Sequence, residues 1–341
     1  MATFVRTQEI EHAIGAEGRF ALRVTSPEVE MRAIEGDTAR VRVEFELRAA
    51  TDAHADEAFG RLNYVVNRED GLLEVAEPKR DAGGIATIAG ILGLSSDRVE
   101  TRVVVELPRR ASVDFAGVSA EVTVTGLGGQ QQFKTVSGDV VMSDLAGSIT
   151  FKGVSSDVSI RAEQPISLRA NTVSGDLSAI APRFDSAHIA SVSGDIELEG
   201  DLAPGTTHRF ETVSGDLSLG VVGGVTLEVR GLSSDVDVSV GHRSEGSRDR
   251  RRYVMGDGAA SAQFSSMSGD VSVHAARRIA APPPPAAPTP PTPPTPSTPP
   301  APAAAPPMSE ADQLAVLRAL ERGEIDVEEA SRRLAGGNGG G

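Results

Sequence analysis

Acidic residues recur along this sequence at a near-constant interval: Asp139, Asp157, Asp176, Asp195, Asp216, Asp235 and Asp270, with Glu121 in an earlier, weaker copy. From Asp139 the successive intervals are 18, 19, 19, 21, 19 and 35 residues. Each Asp is the fourth letter of one word, written VSGDV, VSSDV, VSGDL, VSGDI, LSSDV or MSGDV. Carboxylates in such a series could bind calcium along a strip, line a strip for carbohydrate or another ligand, or hydrogen-bond backbone at a bend, as Asp and Ser do in turns. Calcium-binding β-rolls place acids at a nonapeptide repeat with paired glycines, and the spacing here is about twice that. We prefer the bend.

Catalytic readings find little support. Glycoside hydrolysis needs a unique pair of carboxylates, whereas these acids repeat, and the chain has no Trp and two Tyr to build a sugar platform. GVSSD and GLSSD open like a nucleophile elbow but lack its closing Gly. The six histidines (12, 54, 188, 208, 242 and 274) show no metal-ligand spacing, and the absence of Cys excludes disulfides and thiolate sites. No enzyme activity, cofactor or metal is expected. Arg248, Arg250, Arg251 and Arg252 form the most basic spot on a chain of net charge −15. They read as a solvated loop or as an anion-contact loop. The overall charge argues against nucleic-acid binding.

These residues need a scaffold that repeats with them. A period near 19 residues is the mark of a solenoid in which each repeat stacks on its neighbours. The fifth and seventh positions of the word are apolar and often β-branched: Val140 and Met142, Val158 and Ile160, Leu177 and Ala179. So is the residue three before the word, Phe133, Phe151 or Phe210 for example. Alternation of this kind means strands. We place these residues inward together with the first letter, Val136 and its equivalents, and place the second (Ser) and fourth (Asp) outward. The third letter is Gly, Ser or Ala, and small size fits all copies, so it marks a corner with no interior room. The fold expected is an all-β parallel β-solenoid (β-helix) of about 19 residues per coil, with residues 1–117 as an N-terminal β cap and 118–280 as the repeats. A loop insertion is expected near 241–261. Residues 270–275 form a free edge, which would allow end-to-end polymerisation as an alternative role.

Residues 281–307 hold 15 of the 21 prolines and read as a polyproline II spacer. Residues 308–337 read as a small C-terminal α-hairpin whose Leu314, Leu317 and Leu320 form an association face, for self-association or for a protein partner. GGIATIAGILGL (83–94) is too short for a membrane span, and the acidic N-terminal stretch does not look like a signal peptide. A cytoplasmic protein, with peripheral envelope contact at most, is expected.

The word VSGD[VIL] at these intervals, preceded by VVVELPRRASVDFAGVSAEVTVTGL, resembles the bacterial putative-adhesin β-solenoid family over roughly residues 20–275. LRALERGEIDVEEASRRL resembles the short helical domain of envelope-stress proteins of the LiaX and YvlB type, in which the hairpin precedes the solenoid instead of following it. The resemblance implies a non-enzymatic module linked to sensing of envelope damage.

Overall fold

In the computed structural model, residues 2–49, 51–78, 99–247 and 250–276 are described. The 83–94 stretch, the proline-rich spacer and the hairpin with Leu314, Leu317 and Leu320 lie outside the described residues. The N-terminal part contributes β1 (Ala2–Ala13), β2 (Arg19–Arg23), β3 (Glu28–Ile34), β4 (Thr38–Ala49), α1 (Asp52–Gly60), β5 (Val65–Glu69), β6 (Leu72–Ala76), β7 (Val99–Pro108), β8 (Ser112–Ala116) and β9 (Glu121–Thr125). The repeats contribute β10 (Gln130–Lys134), β11 (Val140–Lys152), β12 (Val158–Asn171), β13 (Leu177–Ser193), β14 (Ile196–Leu202), β15 (Thr207–Ser214) and β16 (Leu217–Val221). β17 (Val225–Ser233), β18 (Val236–Val238), β19 (His242–Ser247), β20 (Arg250–Met255), β21 (Ala260–Ser268) and β22 (Val271–Ala275) follow.

Every coil has two arms joined at the repeated word, and each arm pairs in parallel with the same arm of its neighbour. On the first arm Leu22, Phe115, Phe133, Phe151, Ala170, Ile189, Phe210, Phe264 and Val229 fall in one register column. On the second arm Val122, Val140, Val158, Leu177, Ile196, Leu217 and Val271 form another. Nearly all of these side chains are fully buried. Fully burying an aliphatic or aromatic side chain of this size stabilises by roughly 1.5–3 kcal/mol. The columns therefore supply the main cohesion, and each coil depends on its neighbours.

The first letter of the word departs from the sequence expectation. Val118, Val136, Val154, Val173, Val192 and Val213 are each 43–48 % exposed, and Met267 is 58 % exposed. The inward face runs Phe133, Thr135, then Val140, Met142, so its parity changes across the word. The backbone turns there, and strand alternation cannot be carried through a turn.

The coils are not stacked in chain order at either end. β21 and β22 lie between β15–β16 on one side and β17–β18 on the other. After β18 the chain forms an antiparallel ribbon, β19 with β20, laid against the outer edge of β17, and then returns into the slot inside it. Residues 271–273 are therefore paired on both sides, and the 270–275 stretch is not the free edge that the sequence suggests. The same inversion occurs at the other end, where β2 and β3 lie between β8–β9 and β6–β7. There β5 covers β6 and β4 covers β7, both antiparallel, with β1 beyond β4. Phe59 of α1 packs against Phe45 of β4 at a ring separation of 6.3 Å.

Candidate functional site: the repeated corner

The word forms one corner of the solenoid, and its backbone bonds are shared between coils. The N–H of each corner Ser donates to the carbonyl of the first letter one coil back: Ser137 to Val118 at 2.7 Å, Ser155 to Val136 at 2.8 Å, Ser174 to Val154 at 2.6 Å and Ser193 to Val173 at 2.8 Å. The N–H of the fifth letter donates to the Asp carbonyl of the next coil, Val140 to Asp157 and Leu177 to Asp195, both at 2.9 Å.

The Asp side chains extend this pattern. Asp157 Oδ1 accepts the Asp176 N–H, Asp176 Oδ1 the Asp195 N–H, and Asp195 Oδ1 the Asp216 N–H, each at 2.9 Å. Asp216 then accepts from Asp270, and Asp270 from Asp235, both at 2.8 Å. In these five coils the carboxylate takes up an N–H that the bend carries out of the ladder, which gives Asp a structural part at this position. Asp176, Asp195, Asp216, Asp235 and Asp270 line a groove of about 510 Å³. Among the described residues no group of three or more His, Asp or Glu is placed to hold a metal ion.

Inside the corner one small side chain fills each coil, and either arm can supply it. Where the third letter is Gly, the residue before the word is Thr135, Thr172, Ser191, Thr212 or Ser266, all buried. Where the third letter is Ala120, Ser156 or Ser234, the residue before the word is Gly117, Gly153 or Gly231. A Cβ on Gly215 would sit 3.1 Å from Thr212 Oγ1, and one on Gly117 would sit 3.3 Å from Ala120 Cβ. The two positions compete for one volume. Thr135 and Thr172 use it to donate to the carbonyls of Ser137 and Ser174, at 2.8 and 3.2 Å. This exchange is written in the sequence as T/S-V-S-G-D against G-V-S-[AS]-[DE], and a reading restricted to the five-letter word misses it.

Outward, the corner presents three parallel columns: the exposed valines ending in Met267, the serines, and the aspartates. Ser119 and Ser137 hydroxyls lie 3.0 Å apart. The result is an apolar ridge beside a polar, acidic trough, repeated at the inter-strand distance of about 4.8 Å.

The basic residues lie on the β19–β20 ribbon at the C-terminal end. Arg250 pairs with Glu228 at 2.9 Å, and this bond holds the Glu228 carboxyl below its usual range. Arg251 donates to the Ser234 carbonyl. Arg252 stands in register with Glu228 and Glu245 on its two neighbouring strands, and Arg248 lies outside the described residues. Acids and backbone carbonyls therefore engage much of this charge. The histidines are dispersed: His188 reaches the Thr207 carbonyl at 3.2 Å, His274 lies 3.6 Å from Glu199, and His208 is fully buried with Nε2 3.1 Å from the Ala203 carbonyl. Among the described residues no helix is long and apolar enough to cross a membrane.

No curated protein matches the sequence. Solved structures with a similar trace include a putative lipid binding protein from Parabacteroides distasonis, 10 % identical with a TM-score of 0.42, covering 79 % of this chain and 97 % of that one. A putative adhesin from Bacteroides fragilis is 12 % identical with a TM-score of 0.41 over the same shares. A putative cell adhesion protein from Clostridium sporogenes is 10 % identical with a TM-score of 0.27, covering 80 % of this chain and 99 % of that one. The family model described as Toastrack DUF4097 matches residues 20–274, the stretch that carries all the coils, and the chain belongs to that family.

Proposed function

We propose that this protein is a non-enzymatic, adhesin-like β-solenoid scaffold that acts in bacterial cell-envelope stress sensing or assembly. Its working surface is the repeated corner, and the segment with Leu314, Leu317 and Leu320 serves oligomerisation or docking. The observation that carries the reading is the ridge of Val118, Val136, Val154, Val173, Val192, Val213 and Met267, exposed in coil after coil. A single exposed valine is ordinary. A contiguous apolar row rimmed by polar residues marks an interaction surface. The carboxylates beside it are engaged in holding backbone N–H groups, which fits a structural part better than a reacting one.

The test is sedimentation of the full chain, of residues 1–280, and of the full chain carrying Val154→Ser, Val173→Ser and Val192→Ser, each alone and with an envelope extract of the native bacterium. Removing 281–341 should abolish concentration-dependent association, and the triple variant should lose capture of envelope components while its melting temperature is unchanged. If 1–280 associates as strongly as the full chain, the terminal segment has no such role. Unaltered capture by the triple variant would remove the ridge from the reading.

A further inference from the structure

We propose that the outer edge of β18 is a docking site for an extended segment of another protein, with apolar residues alternating with Lys or Arg, which pairs in parallel and adds one further rung to the solenoid.

The two ends of the solenoid offer four terminal sheet edges, and three are covered by antiparallel strands: β6 by β5, β7 by β4 and β17 by β20. Among the described residues β18 pairs only with β22. Its register shows which groups are left. The Val271 N–H donates to the Asp235 carbonyl at 2.9 Å and the Ser239 N–H to the Val273 carbonyl at 2.8 Å. The backbone groups of Asp237 therefore face β22, and those of Val236 and Val238 face away from it. Natural sheets rarely leave such an edge bare.

The ladder of aspartates ends at the same place. Asp157, Asp176, Asp195, Asp216 and Asp270 each accept the N–H of the next Asp in space. Asp235 is the last of the series, and among the described residues its carboxylate receives no such bond. In the preceding coils the fifth-letter N–H donates to the next Asp carbonyl; at the end that donor is Val236. One residue of an incoming parallel strand would meet both groups, giving its N–H to Asp235 and taking that of Val236 with its carbonyl. The core is open here as well. Val236 and Val238 are only partly buried, whereas Val271 and Val273, one rung inward, are each 1 % exposed.

Charge selects the occupant. Asp235, Asp237 and Asp270 border the edge and the groove of about 510 Å³ beside it, so residues facing the same side should be basic, with apolar residues between them over Val236 and Val238. A second copy fits poorly. An antiparallel pairing of two β18 edges sets Asp237 near Asp237, and like charges across a strand pair are unfavourable. A head-to-tail pairing meets the capping strands β5 and, outside β4, β1 at the other end of the solenoid. Strand addition at a free edge, with specificity from alternate side chains, is an established recognition mode.

The test uses the full chain and three fluorescent peptides: alternating Lys and Val, the same peptide with alternate amides N-methylated, and alternating Glu and Val. We expect the Lys–Val peptide to bind at least roughly tenfold tighter than its N-methylated form of equal charge. Hydrogen exchange at the Val236 and Val238 amides should be fast in the free protein and slow in the complex. Asp237→Asn should weaken binding, and Asp237→Lys should weaken it further and shift preference to the Glu–Val peptide. Four results overturn the proposal: no binding of the Lys–Val peptide, equal binding of the N-methylated form, affinity indifferent to both Asp237 variants, or slow exchange at Val236 and Val238 without peptide. The last result means that the chain itself or a second copy already covers the edge.

Discussion

Replacing Gly194 by Ala tests whether the corner is set by backbone contact between coils. Gly194 has φ of +133°, in the region that side chains rarely adopt, and a Cβ built on it overlaps the backbone carbonyl oxygen of Gly175 one coil away. Neither atom can swing aside, because the Gly175 backbone is fixed by the same pairing. Strained φ costs of order 1–3 kcal/mol, and overpacking against a fixed neighbour adds roughly 1–3 kcal/mol. Gly205→Ala is the matched control. Its φ is +82° with nothing within 4 Å of the added Cβ, so only the strain of about 1–2 kcal/mol applies. The two variants should differ by about 2 kcal/mol or more, which for a folded unit of this size is a gap of roughly 4–8 °C in melting temperature. Thermal unfolding followed by circular dichroism reads it directly. Equal melting temperatures would refute the claim that the coils touch through this glycine column.

Asp195→Asn should cost little, because the amide oxygen can still accept the Asp216 N–H, whereas Asp195→Ala should cost about 1 kcal/mol; chemical denaturation of both separates acceptor from charge. A Cβ on Gly231 would meet the Ser234 side chain first, so Gly231→Thr and Ser234→Gly should each destabilise, and the double variant should lose less than their sum by about 0.5 kcal/mol or more, as a double-mutant cycle would show, because both fill one interior volume. His208 has its pKa lowered from 6.5, first by burial, so the folded state resists its protonation. Its contribution to stability should be whole above pH 6.5 and fall as pH drops toward the depressed folded value, where the unfolded chain binds the extra proton. His208→Gln should flatten melting temperature against pH across that window, and an unchanged slope would show that His208 does not set it.

What could be read from the sequence followed from what a period can encode. The column Phe133, Phe151, Phe210 and the column Val140, Val158, Leu177 were legible because a repeat interval equal to the coil length brings identical positions together. The outward turn of Val136 and its equivalents was not legible. Val is the residue expected on an inward face, and only the bend at Ser137–Gly138, which resets the alternation, puts it outside. The role of Asp was half legible: a backbone partner at a bend could be inferred, but not that the partner is the N–H of the next coil. The Thr–Gly exchange was present in the sequence one letter outside the repeated word.

The order of the terminal coils could not have been read, and the reason is the regularity that made the rest readable. MSGDV at 267–271 and LSSDV at 232–236 satisfy the same columns, so either could stack on Asp216. Phe264 stands in register with Phe210, and both are fully buried, continuing a column that the smaller Val229 would leave narrower. The ribbon of β19 and β20 needs an outer strand to lie against, and β17 becomes that strand only if β21 enters inside it. The N-terminal end solves the same problem in the same way, with β2 and β3 inside β6 and β7 and antiparallel strands beyond them. A solenoid's open ends are its liability. Here the ends are closed by placing a coil out of order and covering the displaced outer strand, a device that depends on the coils being interchangeable. Among the described residues, the edge of β18 is where that covering stops.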